Sequence, residues 1–539
     1  MGTLWTGGQA YTFVKENEKV EAVFVENGII IATGQEAVLR KQFQDRVKHV
    51  VDIVGCTMYP GFVDSHMHII GHGEKLMKLD FSEMTTSHQL IDAIKEHVSK
   101  ANKGEWITGE GWNENILPDQ KIFKREELDE LSPNNPLVLK RICRHAIIVN
   151  STALELAGIT DETPDPVGGV IVRDEAGKAT GYLKDRAQDL VMDVIPTVSE
   201  DYLKQALTLS IKNCLELGLV GAHTEDLHYY GGFHRTFHAF QQVIDGQKVK
   251  FRTNLLVHHE AVDDMHHDGY SYKDGTEFVE FGAMKIFADG ALGGRTALLS
   301  QPYNDSPDTS GVAIHSLQEL KSLVKKAREY KMPIAVHAIG DLAFEYVIDV
   351  IEEYPGISGQ RDRLIHAQIL RKDLIERAKN LPIILDIQPR FVVSDFPWVI
   401  DRIGEENFSY CYAWKTLLKE GFHCAGGSDA PIEPVNPLLG IHAAVTRKNP
   451  DDKDSGSYIP KETLSMFEAI SLFTTGSAYA IGQEDRMGKI APGYKADFTI
   501  LDKDLFSIPE DEIIDVKVMK TVVDNTIMFE RKRKANKAM

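Results

Sequence analysis

Short apolar runs that end in a polar or charged residue recur through the middle of the chain, separated by stretches in which apolar residues return at every third or fourth position. The first pattern predicts buried strands and the second amphipathic helices. Eight such runs occur: PGFVDSH (60–66), LVGAHTE (219–225), RTNLLVH (252–258), GAMKIFADG (282–290), PIAVHA (333–338), RLIHA (363–367), PIILDIQ (382–388) and FHCAGGSD (422–429). Helical spacing precedes the second run in LKQALTLSIKNCLELG and the fifth in LQELKSLVKKAREYK. Strands alternating with helices make parallel βα units, so the pattern predicts an α/β fold, a TIM-type (β/α)8 barrel over residues 60–486.

Both chain ends have a different texture. AVFVENGIIIATG alternates apolar runs around an Asn-Gly turn, and GKIAPGYKADFTILDKD and VKVMKTVVDNTIMFE return to short strands broken by turn residues. Because domain termini often lie close together, residues 1–59 and 487–539 are expected to form one composite β-sandwich domain. The gap after the first barrel strand is too long for a single βα connection, and it carries its own strand-like PLVLKRI and turn-rich ETPDPVGG. Residues 73–200 are therefore expected to be an inserted subdomain at the barrel mouth.

Composition narrows the class. The chain has 539 residues and a net charge of −20, an acidic balance that repels phosphate backbones and anionic lipid heads, so neither nucleic acid nor membrane is an expected partner. The basic run Arg531-Lys532-Arg533-Lys534 reads as a solvated tail. The five cysteines are scattered and form no CxxC, so neither a disulfide framework nor a thiolate metal site is suggested, and a cytoplasmic location is the expectation. The N-terminus has no basic segment followed by an apolar one, and no apolar stretch reaches the roughly 18 residues of a membrane span.

Barrel enzymes build their sites at the C-terminal ends of the strands. At those positions this sequence has His66 and His68 after the first strand, Lys285 in the fourth, His337 in the fifth, His366 in the sixth and Asp429 after the eighth. His66 and His68 are two apart on an extended chain and so share one face, either as a metal-binding pair or as two polar residues closing a strand. Imidazoles with a carboxylate are the donor set of zinc, with manganese, iron or nickel as substitutes, rather than of calcium or magnesium. Lys285 has no lone pair for a metal while it is an ammonium. It reads either as a carbamate formed with carbon dioxide or as a buried lysine paired with Asp289 or Asp429.

Taken in order, PGFVDSHMH, MKIFADGALGGRTA, IAVHAIGD, RLIHAQI, GGSDAP and GKIAPGYKADFTILD resemble the amidohydrolase superfamily, in its YtcJ-like and N-substituted formamide deformylase-like branch. The resemblance spans nearly the whole chain. It implies two divalent metals: His66 and His68 on the more buried one, His337 and His366 on the more exposed one, carboxylated Lys285 between them, and Asp429 as ligand and proton shuttle. It also implies hydrolysis of a carbon–nitrogen bond, in a non-peptide amide or N-substituted formamide of a small molecule, by a metal-bound hydroxide. Deamination, isomerisation or ester hydrolysis on the same scaffold, and a non-catalytic scaffold protein, are the alternatives.

His145, Trp112, Asn113, Asp289 and Arg295 are further candidates, for substrate contact; a structural salt bridge is the other reading of the last two. His223 is expected at the mouth after the second strand, and HHEAVDDMHHDG (258–269) is read as a solvated loop. A homodimer is the default assembly.

Overall fold

The structure is a computed structural model and describes residues 2–81, 84–112, 114, 117–141, 146–195, 198–452 and 456–532. His145 and Asn113 lie outside the described residues. The chain forms two compact units, Met1–Gly71 with Leu203–Met539, and His72–Tyr202.

In the first unit eight parallel strands follow one another in chain order: β1 Phe62–Met67, β2 Leu219–Thr224, β3 Arg252–His258, β4 Val279–Phe287, β5 Ile334–Ala338, β6 Asp362–His366, β7 Ile383–Ile387 and β8 Cys424–Gly426. Each pairs with the next. Beyond β8 the backbone returns to β1: Asp429 N–H donates to the His66 carbonyl at 2.7 Å, and His68 N–H to the Ala430 carbonyl at 2.7 Å. These two bonds nearly close the barrel, and they set Asp429 beside the two histidines. A side chain at Gly427 would press its Cβ to 2.6 Å from the His66 nitrogen, so only glycine permits this approach.

The strands are apolar because both faces are covered. Inside the barrel, Arg363 on β6 donates to Asp386 on β7 at 2.7 Å and to the Ser65 carbonyl at 2.6 Å, tying two neighbouring strands to the backbone just before His66. Both side chains are buried, and a charge pair this deep is tolerated only when it is paired and hydrogen-bonded as here.

The chain termini build two further sheets in the same unit. One has four strands, ordered Ile29–Gly34, Ala22–Glu26, Gly2–Thr6, Val47–Asp52. The other has six and joins Gln9–Tyr11 and Thr57–Pro60 from the N-terminal side to Phe498–Leu501, Val518–Val523 and Thr526–Glu530 from the C-terminal side. Trp5, Val23, Ile30, Met58, Phe498, Ile500 and Val522 share one apolar core between them. Thr499 ties this region to the barrel, accepting from Phe62 N–H at 3.0 Å and donating to the Gly218 carbonyl at 2.7 Å.

The second unit has its own six-stranded sheet, with Ala146–Val149 and Leu137–Arg141 as its two central strands. Helices Ser87–Lys100 and Arg125–Leu131 bury Leu90, Ile94 and Leu128 in a core with Phe81, Leu139 and Ile148. Among the described residues, no helix is long and apolar enough to cross a membrane.

Candidate active site

The C-terminal ends of β1, β4, β5 and β6 and the turn after β8 supply the site. One ligand atom from each of His66, His68 and Asp429 lies within 4.8 Å of the other two, a group able to hold a metal ion. Asp429 Oδ1 stands 3.4 Å from His66 Nε2 and 3.5 Å from His68 Nε2. His68 Nδ1 is 2.6 Å from the Glu225 carbonyl oxygen. A carbonyl only accepts, so Nδ1 carries a proton. Against burial, the Asp429 hydrogen bond and the charges of Asp429 and Glu225 push His68 up to about 9, so Nε2 is protonated too and donates towards Asp429, a proton that a metal would displace. His366 stacks edge-on against both His66 and His337, with ring centroids 5.9 and 4.4 Å apart, extending the cluster across β5 and β6.

Burial sets the protonation states. It drives His66 and His337 well below the ordinary histidine range and His366 down to about 4, so all three are neutral imidazoles with a lone pair to give. Burial alone would push the Asp429 carboxyl up. The hydrogen bond from His68 and the positive charges of His68 and Lys285 outweigh it, so the group stays ionised. His366 and Asp429 both have left-handed backbones, with φ of 79° and 58°. Non-glycine residues rarely adopt that conformation, and such strain collects at functional sites.

Lys285 is fully buried and its Nζ has no hydrogen-bond partner. Burial lowers its pKa, against the opposing pull of Glu225 and Asp429. The expected alternative of a direct pair with Asp289 or Asp429 is not formed: Nζ rests 4.1 Å from the centre of the Phe287 ring. A buried cation without a hydrogen bond is costly. The buried His66 Nδ1 is likewise without a partner. Three neutral imidazoles and an ionised carboxylate on one barrel mouth fit a transition-metal centre, and Lys285 stands beside them as an unsatisfied buried donor.

The other candidates have different places. Asp289 is buried and accepts from the backbone N–H of Leu298 at 2.9 Å, Ile339 at 3.0 Å and Gly340 at 2.8 Å. It anchors the loop after β4 to the turn after β5 beside His337, whose Nε2 is 3.5 Å from its Oδ1. Arg295 makes a two-pronged bond to Asp305 at the surface, at 3.1 and 2.8 Å, which is the salt-bridge reading. Trp112 is fully buried in the core of the second unit, with its Nε1 donating to the Lys121 carbonyl at 3.2 Å, and so packs as core rather than lining a pocket. His223 is not at the mouth: it borders a cavity with Gly61, Val63 and Val220 at the N-terminal ends of β1 and β2. Nor is HHEAVDDMHHDG a solvated loop, because His258 ends β3 in a buried position and Val262–His267 is helical.

Glu225 is the residue that sequence reasoning missed. It follows β2, is fully buried, accepts from the Tyr229 hydroxyl at 2.8 Å and stands 3.8 Å from His68 Nδ1. The rule that picked the other residues, a polar group just past a strand end, also picks Glu225.

Comparison with known proteins agrees with this geometry. The chain belongs to the amidohydrolase family, whose profile matches residues 49–529, and is an enzyme of that hydrolase class. It is 50% identical over 531 residues to YtcJ of Bacillus subtilis (strain 168), named as an amidohydrolase, covering 98% of this chain and 100% of that one. It is 27% identical to the N-substituted formamide deformylase of Arthrobacter pascens, with 96% of each chain covered. An uncharacterized metal-dependent hydrolase from Pyrococcus horikoshii OT3 superposes with a TM-score of 0.76 at 29% identity, over 95% of this chain and 99% of that one.

Proposed function

We propose that the protein hydrolyses the carbon–nitrogen bond of a small non-peptide amide, N-substituted formamides included. In this reading His66, His68, His337, His366, Asp429 and a carboxylated Lys285 would hold a divalent metal pair, zinc by donor type. The observation that supports it most is the convergence of His66, His68 and Asp429 over a buried Lys285 that has no hydrogen-bond partner. Carboxylation forms a bond between Nζ and the carbon of carbon dioxide and releases a proton to solvent, leaving a two-oxygen anion. The composite sheets of the chain ends and the 72–202 unit act as accessory domains of one enzyme.

When bound, such a metal lowers the pKa of a coordinated water to around 7, making a nucleophile available at neutral pH. The protein supplies the rest. Asp429, kept ionised by its neighbours, would take a proton from the attacking water and pass it to the departing nitrogen, so one carboxylate would be base and then acid. The Glu225 carbonyl fixes the tautomer of His68, and Asp64 holds the His66 and Ser428 amides at 3.0 and 3.1 Å, which keeps β1 in register with the turn that carries Asp429.

Asp429→Asn tests this role. The variant is expected to keep most of its metal and to lose about 10²–10⁴-fold in turnover on an N-substituted formamide panel. Near-normal turnover would refute the role given to Asp429.

A further inference from the structure

The loop after β2, the end of β3 and the turn that follows it bring His228, His258 and Glu260 together, and none of the three belongs to the set around Asp429. We propose that they form a separate metal site at the rim of the barrel, which takes one further divalent transition-metal ion of zinc type.

One ligand atom from each residue lies within 4.8 Å of the other two. Donors around a tetrahedral zinc, with bonds of about 2.1 Å, stand about 3.4 Å apart, so modest side-chain rotations bring the three to bonding distance. Glu260 Oε2 is the hinge of the cluster, 2.7 Å from His228 Nε2 and 3.9 Å from His258 Nδ1. The Glu260 backbone N–H donates to His258 Nδ1 at 3.3 Å. An N–H can only donate, so that ring nitrogen carries a lone pair, and a bond this long is readily exchanged for a metal bond.

The two imidazoles stack with centroids 4.4 Å apart and planes 12° apart, which sets them side by side with the Glu260 carboxylate near both. Two imidazoles with one glutamate is a zinc donor set that leaves a coordination position open for water. Access and anchorage are divided between the residues: His258 is buried, whereas the side chains of His228 and Glu260 are 38% and 54% exposed. Zinc would displace the proton on His228 Nε2, which leaves to solvent. The site neighbours the catalytic cluster without sharing ligands with it. His258 lies in register with Lys285, and the Phe287 ring stands between His258 and His337 at 6.0 and 5.4 Å.

The test is zinc binding alone, by equilibrium dialysis of the full-length protein at fixed free zinc, with metal counted by mass spectrometry. His228→Ala and Glu260→Gln alter partly exposed side chains, and circular dichroism checks that both fold. The wild type is expected to bind one zinc more per chain than either variant at the same free zinc, and His68→Ala, which disturbs the catalytic cluster, should retain that rim equivalent. Equal zinc stoichiometry in the wild type, His228→Ala and Glu260→Gln at every free concentration would overturn the rim site. Loss of zinc in His68→Ala but not in His228→Ala would leave the catalytic cluster standing and remove the rim site.

Discussion

Asp289→Ala removes the acceptor of three backbone N–H groups at once, those of Leu298, Ile339 and Gly340. A buried donor left without a partner costs about 1–3 kcal/mol, so the simple sum is roughly 3–9 kcal/mol. Water entering the space left by the carboxylate can re-satisfy part of it, which places the expected loss near the lower bound, about 3 kcal/mol. For a cooperative unit larger than 250 residues, each kcal/mol lowers the melting midpoint by about 1–2 °C, so the variant should melt about 3–6 °C below the wild type in scans at one fixed rate. Asp289→Asn keeps one oxygen acceptor and should lose about half as much. The anchor also positions the strand end that carries His337, so metal retained after gel filtration should fall in Asp289→Ala. A midpoint within about 1 °C of the wild type would refute the claim that this carboxylate holds the two loops together.

Arg295→Ala should leave turnover within about twofold of the wild type, because the guanidinium is engaged with Asp305 at the surface and exposed pairs contribute little; a tenfold rise in KM would restore it as a substrate contact. Asp395 is buried under the Tyr412 hydroxyl at 2.6 Å, and burial pushes its carboxyl up to about 7 from an ordinary 3.8. The folded chain then holds a proton that the unfolded chain lacks between these values, so this contribution to stability is full below pH 4 and is lost as pH rises through 7. Asp395→Asn, which cannot ionise, should therefore close its stability gap to the wild type by on the order of 2 kcal/mol between pH 5 and pH 8. A gap that stays constant or widens in urea titrations at the two pH values would contradict that assignment.

The barrel was legible because its strands are mostly apolar and a polar residue stands at or within two positions of each C-terminal end, a pattern that survives even in the three-residue β8. The same rule picked His66, His68, Lys285, His337, His366 and Asp429, and the structure brings ligand atoms of His66, His68 and Asp429 within 4.8 Å of one another. The errors cluster where that reasoning stops. In HTEDLH several polar residues follow one another, and alternation does not say where the strand ends; β2 ends at Thr224, which puts His223 inside the barrel and Glu225 at the mouth. HHEAVDDMHHDG reads as polar along its length, yet its first histidine completes β3 in a buried position. Trp112 and Asp289 show the other limit. A large aromatic in a turn-rich insert and an acid four residues after Lys285 both look like pocket residues, and only packing shows one to be core and the other to be a clamp on three amides.

The central claim is that Lys285 bridges two metals as a carbamate. Its most direct test is intact-protein mass spectrometry under conditions that preserve the metal, combined with metal counting on the same sample. The account predicts about 44 Da of added mass on Lys285, released together with the metals when a chelator is added at low pH. An unmodified Lys285 in a protein that holds its metals and turns over substrate would contradict it.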